Sequence, residues 1–194
     1  MRLNIQRQES YSRGELLLRT FFGLIYIGIP HLFLLAFFGL WGAILGMIAW
    51  YVILFTGKYP QSWFEYQVKL QKWNLRLNAR LSNMLDGYPA FGIDSEDPAI
   101  TLEVPYPEEL SRGKLLLKTF FGFFYVLLPH MFVLMFRQIW GAILQMITWY
   151  VVLFTGNYPE NWFNFQVENI RWATRVNLYM ANMTDEYPPF NGKE

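Results

Sequence analysis

One stretch of this chain occurs twice, and it limits what the rest can fold into. Residues 16–57 read LLLRTFFGLIYIGIPHLFLLAFFGLWGAILGMIAWYVILFTG, and residues 115–156 read LLLKTFFGFFYVLLPHMFVLMFRQIWGAILQMITWYVVLFTG. A membrane-crossing helix takes about 20 apolar residues. Each copy, at 42 residues, is therefore sized for a hairpin of two crossings. The repetition extends beyond the apolar run. Ser12–Phe91 aligns with Ser111–Phe190 at a constant offset of 99 without gaps, and about 45 of the 80 positions are identical. That period is too long for a solenoid unit and reads as a duplicated domain.

Composition agrees with a membrane protein. Charged residues make up 16% of the chain, against about 25% in soluble domains, and the deficit is concentrated in the two apolar runs. The net charge of +1 gives nucleic acid no attraction. The absence of cysteine excludes disulfides and thiol chemistry. The opening residues, MRLNIQRQESYSRGE, lack the short apolar core of a removable signal peptide, so the first run is expected to be an uncleaved anchor.

Taken in order, each repeat begins with a short alternating segment, Leu3-Asn4-Ile5 or Leu102-Glu103-Val104. This pattern permits a short β pairing between the two. Ser12 with Glu15 has capping-box spacing, and a first helix is expected from Arg13 to about Phe38. Gly39 is expected to turn the first hairpin, with a second helix from Trp41 to Phe55 that stops at Thr56-Gly57. The second hairpin is expected to turn at Arg137-Gln138. Of the 16 Lys and Arg residues, 15 lie outside the hairpin tips and Arg137 is the exception. The positive-inside rule then puts both termini in the cytoplasm.

Thr56-Gly57-Lys58-Tyr59-Pro60 and Thr155-Gly156-Asn157-Tyr158-Pro159 each lead into a further helix, with Pro in its first turn. In the first repeat, Lys69, Lys72, Arg76 and Arg80 fall on one face of that helix. Trp63, Tyr66, Leu70, Trp73, Leu77, Leu81 and Met84 fall on the other. A basic face opposite Trp and Leu is the profile of a helix lying in the membrane interface. The four basic residues form a candidate face for lipid or a partner.

The two histidines, His31 and His130, are repeat equivalents, and each follows a proline, Pro30 or Pro129. They fall roughly 22 Å along the first helix of each apolar run. An ionisable residue at that depth is a functional candidate. Three readings are open: an imidazole that fixes the kink by bonding a carbonyl freed by the proline or a neighbouring helix, a proton or ion path, or a shared metal or haem. No catalytic triad, HExxH, P-loop or dinucleotide turn is present, and both apolar runs lack acidic residues. No cofactor is expected.

Leu54-Phe55-Thr56-Gly57 and Leu153-Phe154-Thr155-Gly156, with the endings Tyr88–Phe91 and Tyr187–Phe190, resemble the DUF4389 domain family of uncharacterised bacterial membrane proteins. The resemblance covers both repeats. It implies a bacterial membrane location, and it supplies no activity or functional residue.

The sequence therefore predicts an all-α integral membrane protein. Four transmembrane helices form two hairpins, at 13–57 and 112–156, each followed by a cytoplasmic amphipathic interfacial helix, at 60–86 and 159–185. The repeats are 1–91 and 100–194, and 92–99 is the linker. The expected function is non-enzymatic: an accessory or scaffold subunit of the bacterial inner membrane that organises a complex or the surrounding lipid. Its expected partners are membrane lipids and other membrane subunits or further copies of itself. The alternative is an oligomeric transport or pore protein with the histidines near the path.

Overall fold

The structure, a computed structural model, describes residues 1–193. Strand β1 (Arg2–Ile5) is followed by a long helix, α1 (Arg13–Thr56), and a shorter one, α2 (Gln61–Leu81). The second repeat gives strand β2 (Ile100–Glu103), long helix α3 (Arg112–Thr155) and short helix α4 (Glu160–Met180). The strands pair antiparallel, Leu3 opposite Leu102, and both leucines are buried.

The expected hairpins are replaced by unbroken helices. α1 and α3 each run for 44 residues, about 66 Å at the α-helical rise. Gly39 and the Arg137-Gln138 pair lie within them. A single helical glycine costs about 1 kcal/mol, which a packed helix absorbs. Arg137 is held on the helix face by Glu168 (3.1 Å) and Asn169 (2.7 Å). The one irregularity is a π-helical turn, Leu24–Gly28 in α1 and Phe123–Leu127 in α3. There the N–H groups of Ile29 and Leu128 reach back five residues, to the carbonyls of Leu24 and Phe123. Pro30 and Pro129 follow directly. The prolines lack an N–H and crowd the preceding turn, and the π turn is where the helix accommodates them.

Each long helix ends on a left-handed glycine, Gly57 (φ 74°) or Gly156 (φ 72°). The Thr56 hydroxyl then accepts the Lys58 N–H at 3.1 Å, and Tyr59 turns inward to 2% exposure. The repeated Thr-Gly-X-Tyr-Pro is therefore a turn with a buried anchor. α2 folds back antiparallel along α1. Its contacts run from Gln67, which donates to the Gly42 carbonyl (2.6 Å), to Trp73 beside His31.

The two long helices are themselves antiparallel and meet at both ends. The Trp50 indole donates to Thr119 and the Trp149 indole to Thr20, each at 2.8 Å. Arg13 donates to the Phe154 carbonyl (3.1 Å), and Arg112 to that of Phe55 (3.0 Å). Each guanidinium thus satisfies a last-turn carbonyl that has no partner within its own helix. The pairing is symmetric under the 99-residue offset, so a pseudo-two-fold axis relates the repeats.

The same symmetry governs the core. One cluster joins Leu16, Leu75 and Ala79 of the first repeat to Val152, Tyr158 and Phe163 of the second. Its counterpart joins Ala49, Ile53, Tyr59 and Phe64 to Leu115 and Leu178. Neither repeat closes its core alone.

Candidate functional site

His31 is fully buried on the inward face of α1. Its Nδ1 accepts the Trp73 indole N–H at 2.8 Å. The rings of Phe91 and Tyr88 lie 4.7 and 5.3 Å from it, centroid to centroid. In the second repeat, Nδ1 of His130 accepts from Trp172 at 2.9 Å. Phe190 stacks on His130 at 4.0 Å, and Tyr187 lies at 5.4 Å. An acceptor at Nδ1 makes the neutral imidazole carry its proton on Nε2. In both histidines Nε2 is buried and has no hydrogen-bond partner among the described residues.

Three separate sequence features are thereby one unit. The Pro-His pair, the tryptophan of the short helix and the Tyr-Pro-x-Phe ending form an aromatic box around each imidazole. In the second repeat the Tyr187 hydroxyl donates to the Tyr125 carbonyl at 2.9 Å, the carbonyl that Pro129 leaves without its helical partner. Of the two anchors open to a kink-fixing imidazole, each histidine takes the neighbouring helix, through the indole of Trp73 or Trp172, while tyrosine serves the freed carbonyl in the second repeat. The two boxes sit in separate clusters, one around Trp73 and one around Trp172. No described side chain touches both imidazoles, and no group of three or more His, Cys, Asp or Glu able to hold a metal occurs among the described residues.

The expected basic face divides. Lys69 and Lys72 stay at the surface of α2, with Lys69 paired to Asp94 at 2.7 Å. Arg76 and Arg80 are buried. Arg76 donates to the carbonyls of Ser95 and Gly92. Burial lowers its pKa from the ordinary guanidinium value. Arg80 pairs with buried Asp97 at 2.6 Å. The 92–97 segment folds over these two arginines, and the sequence offers no period or motif that announces it. The opposite face of α2 is covered by protein and not by lipid: Trp73 and Leu77 pack with Ile27 and Leu35 of α1, and the Tyr66 hydroxyl donates to the Phe38 carbonyl at 2.8 Å.

Arg19 and Lys118, one turn or two inside the long helices, are buried. Arg19 pairs with Asp86 (2.7 Å) and Glu15 (3.0 Å), and Lys118 with Asp185 (3.0 Å). Each ties the start of a long helix to the loop after the short helix of its own repeat.

Between α2, α3 and α4 lies a cleft of about 480 Å³. Amides dominate it, among them Gln71, Asn74, Asn78, Gln145 and Asn177, and none of the described charged side chains or histidines lines it. It can bond polar groups, and it holds no acid or base for proton transfer.

The outward surface of the two long helices is apolar. All large hydrophobic side chains that are exposed lie on α1 and α3, except Leu81, Tyr88, Phe91, Tyr106, Tyr187 and Phe190. On α1, Leu16, Gly23, Ile27, His31, Leu35, Gly42, Leu45, Ala49 and Ile53 form a buried stripe. On the other side Phe21, Ile25, Ile29, Phe33, Leu40, Met47, Tyr51 and Phe55 are open.

Residues 117–191 match the model of a protein family described as a domain of unknown function (DUF4389). No curated protein and no solved structure shows a significant match to the chain. Similarity over 117–191 takes in most of α3, all of α4 and the Tyr-Pro-x-Phe ending, which together form the second aromatic box.

Proposed function

We propose that the chain is a non-enzymatic, membrane-embedded scaffold or accessory subunit of the bacterial inner membrane. The observation that carries this reading is the segregation of exposed apolar side chains onto α1 and α3. Contiguous apolar patches on soluble monomers rarely exceed a few hundred Å², and here the apolar surface runs the length of two 44-residue helices. The repeat identities extend the likeness to DUF4389 from the second copy to the first.

The non-enzymatic part of the reading rests on how the reactive groups are used. Arg19, Arg80 and Lys118 are in ion pairs with carboxylates that hold loops to helices. Both histidines are enclosed by rings, and the amide-lined cleft contains no titratable group. Neither imidazole lines that cleft. The surfaces left for partners are the apolar face, for lipid or a membrane subunit, and the layer bearing Lys69 and Lys72.

Membrane fractionation tests the reading. The protein is expected to stay in the membrane pellet through alkaline carbonate and high salt and to be released by mild detergent, with other subunits or further copies bound. Recovery as a monomer in detergent-free buffer overturns it.

A further inference from the structure

We propose that α1 and α3 lie flat within one leaflet, so that the chain is embedded in the membrane without crossing it. The occupant of the apolar face is then the acyl and headgroup boundary of a single leaflet. This inference rests on the membrane reading above and adds its geometry.

Length is the first observation. The exposed apolar stripe on α1 runs from Leu17 to Phe55, about 57 Å at 1.5 Å per residue. The hydrocarbon core is about 30 Å thick. A crossing helix would leave nearly half of the stripe in water, and a flat helix immerses all of it at one depth. The second observation is the companion layer. α2 runs along α1, and its far side carries Glu65, Lys69 and Lys72. If α1 crossed the membrane, those charges would be carried into hydrocarbon.

The third observation is the distribution of basic residues under the pseudo-two-fold. Because α1 and α3 are antiparallel, each end of the pair holds the basic start of one repeat. Arg13 and Arg19 lie beside the end of α3, and Arg112, Lys114 and Lys118 lie beside the end of α1. Crossing would put a basic cluster on each side of the membrane, against the cytoplasmic excess that orients membrane proteins. Lying flat puts every one of these residues on the cytoplasmic side. An in-plane helix is usually recognised by a polar face. Here that role falls to α2, α4 and the strands, which cover the inward stripe.

The chain has no cysteine, so single replacements report cleanly. Ser10→Cys and Glu109→Cys probe opposite ends of the helix pair, and Leu40→Cys probes the centre of α1; all three positions are exposed. An impermeant maleimide is applied to right-side-out and inverted inner-membrane vesicles. Both end positions are expected to react only in inverted vesicles, and Leu40→Cys is expected not to react from outside. Nitroxides attached at Phe21→Cys, Leu40→Cys and Phe55→Cys are expected to show one shallow depth, from their relative access to oxygen and to an aqueous nickel chelate. Outside labelling at any position overturns the inference and leaves the membrane reading intact, as does a deep maximum at Leu40 between shallow ends. Loss of the protein from the membrane fraction overturns both. If one variant fails to insert, Phe37→Cys on the same face replaces Leu40→Cys.

Discussion

At the scale of single residues, the buried nitrogens of His31 and His130 decide what each histidine does. An indole N–H points at Nδ1 in both repeats, so the neutral imidazole is the form that fits. Trp73→Phe keeps the ring and removes the donor, leaving Nδ1 buried without a partner. A loss of about 1–3 kcal/mol is expected, read from denaturant unfolding in detergent. Adding His31→Leu to Trp73→Phe should recover part of that loss, because no orphaned nitrogen remains. A double variant no better than the single one contradicts this account. Arg80 and Asp97 offer a second test. Their side chains are 9% and 5% exposed, so Asp97→Asn leaves a buried guanidinium without its counter-charge, and a loss of about 3–5 kcal/mol is expected. The pair Lys69–Asp94 is similarly close, at 2.7 Å, but stands half or more in solvent, and Asp94→Asn should leave stability nearly unchanged.

At the scale of elements, the long helices depend on where their glycines sit. A Cβ on Gly42 would come within 2.9 Å of the Leu70 side chain and 3.3 Å of Gln67, and one on Gly39 would meet nothing. Gly42→Ala should therefore push α2 off α1 and cost about 1–3 kcal/mol. Gly39→Ala should be neutral or stabilise by up to about 1 kcal/mol, since alanine is the better helix former. Both are measured by thermal unfolding. If Gly39 turned a hairpin, the order would reverse. The pair of variants thus checks the unbroken helix separately from the membrane proposal. Sequence pattern foretold the short helices well: the 61–81 and 160–180 segments lie within the expected ranges, and their apolar faces are the faces that pack. The apolar face of α2 meets α1 and not a bilayer interface, because amphipathic spacing marks a face to be buried without saying whether lipid or protein covers it.

At the scale of the whole molecule, the shared clusters make the repeats interdependent. The first repeat alone would lack Val152, Tyr158 and Phe163 against Leu16 and Leu75. Residues 1–98 and 99–194 produced separately are expected to aggregate or be degraded, and produced together to copurify as a 1:1 complex. A stable first half on its own would overturn the shared-core description. The same clusters bury phenols. Tyr11 and Tyr59 have pKa values pushed up to about 12 by burial. A folded pKa above the unfolded value of about 10 means that this contribution is whole below pH 10 and is lost as pH rises through 12. Cooperative unfolding should accordingly begin above pH 10, with tyrosine ionisation following the unfolding in ultraviolet absorbance.

The sequence by itself determined the duplication, the helical class and the apolar runs suited to lipid, and it permitted the strand pairing before each repeat. These follow from composition, period and capping, which act over a few neighbouring residues. It also marked both Pro-His pairs and both Tyr-Pro-x-Phe endings, though not that they would meet. The tertiary structure alone decided that Gly39 and Arg137 lie within helices, that Arg76 and Arg80 face inward, and that each histidine is boxed within its own repeat. Each of these outcomes turns on a partner far along the chain: Glu168 and Asn169 for Arg137, the 92–97 segment for the two arginines, Trp73 and Trp172 for the histidines. A largely apolar run of 42 residues contains enough hydrophobicity for two crossings or for one long helix. The choice between them lies in the packing of α2 and α4, which covers one stripe of each long helix from end to end and leaves the other open.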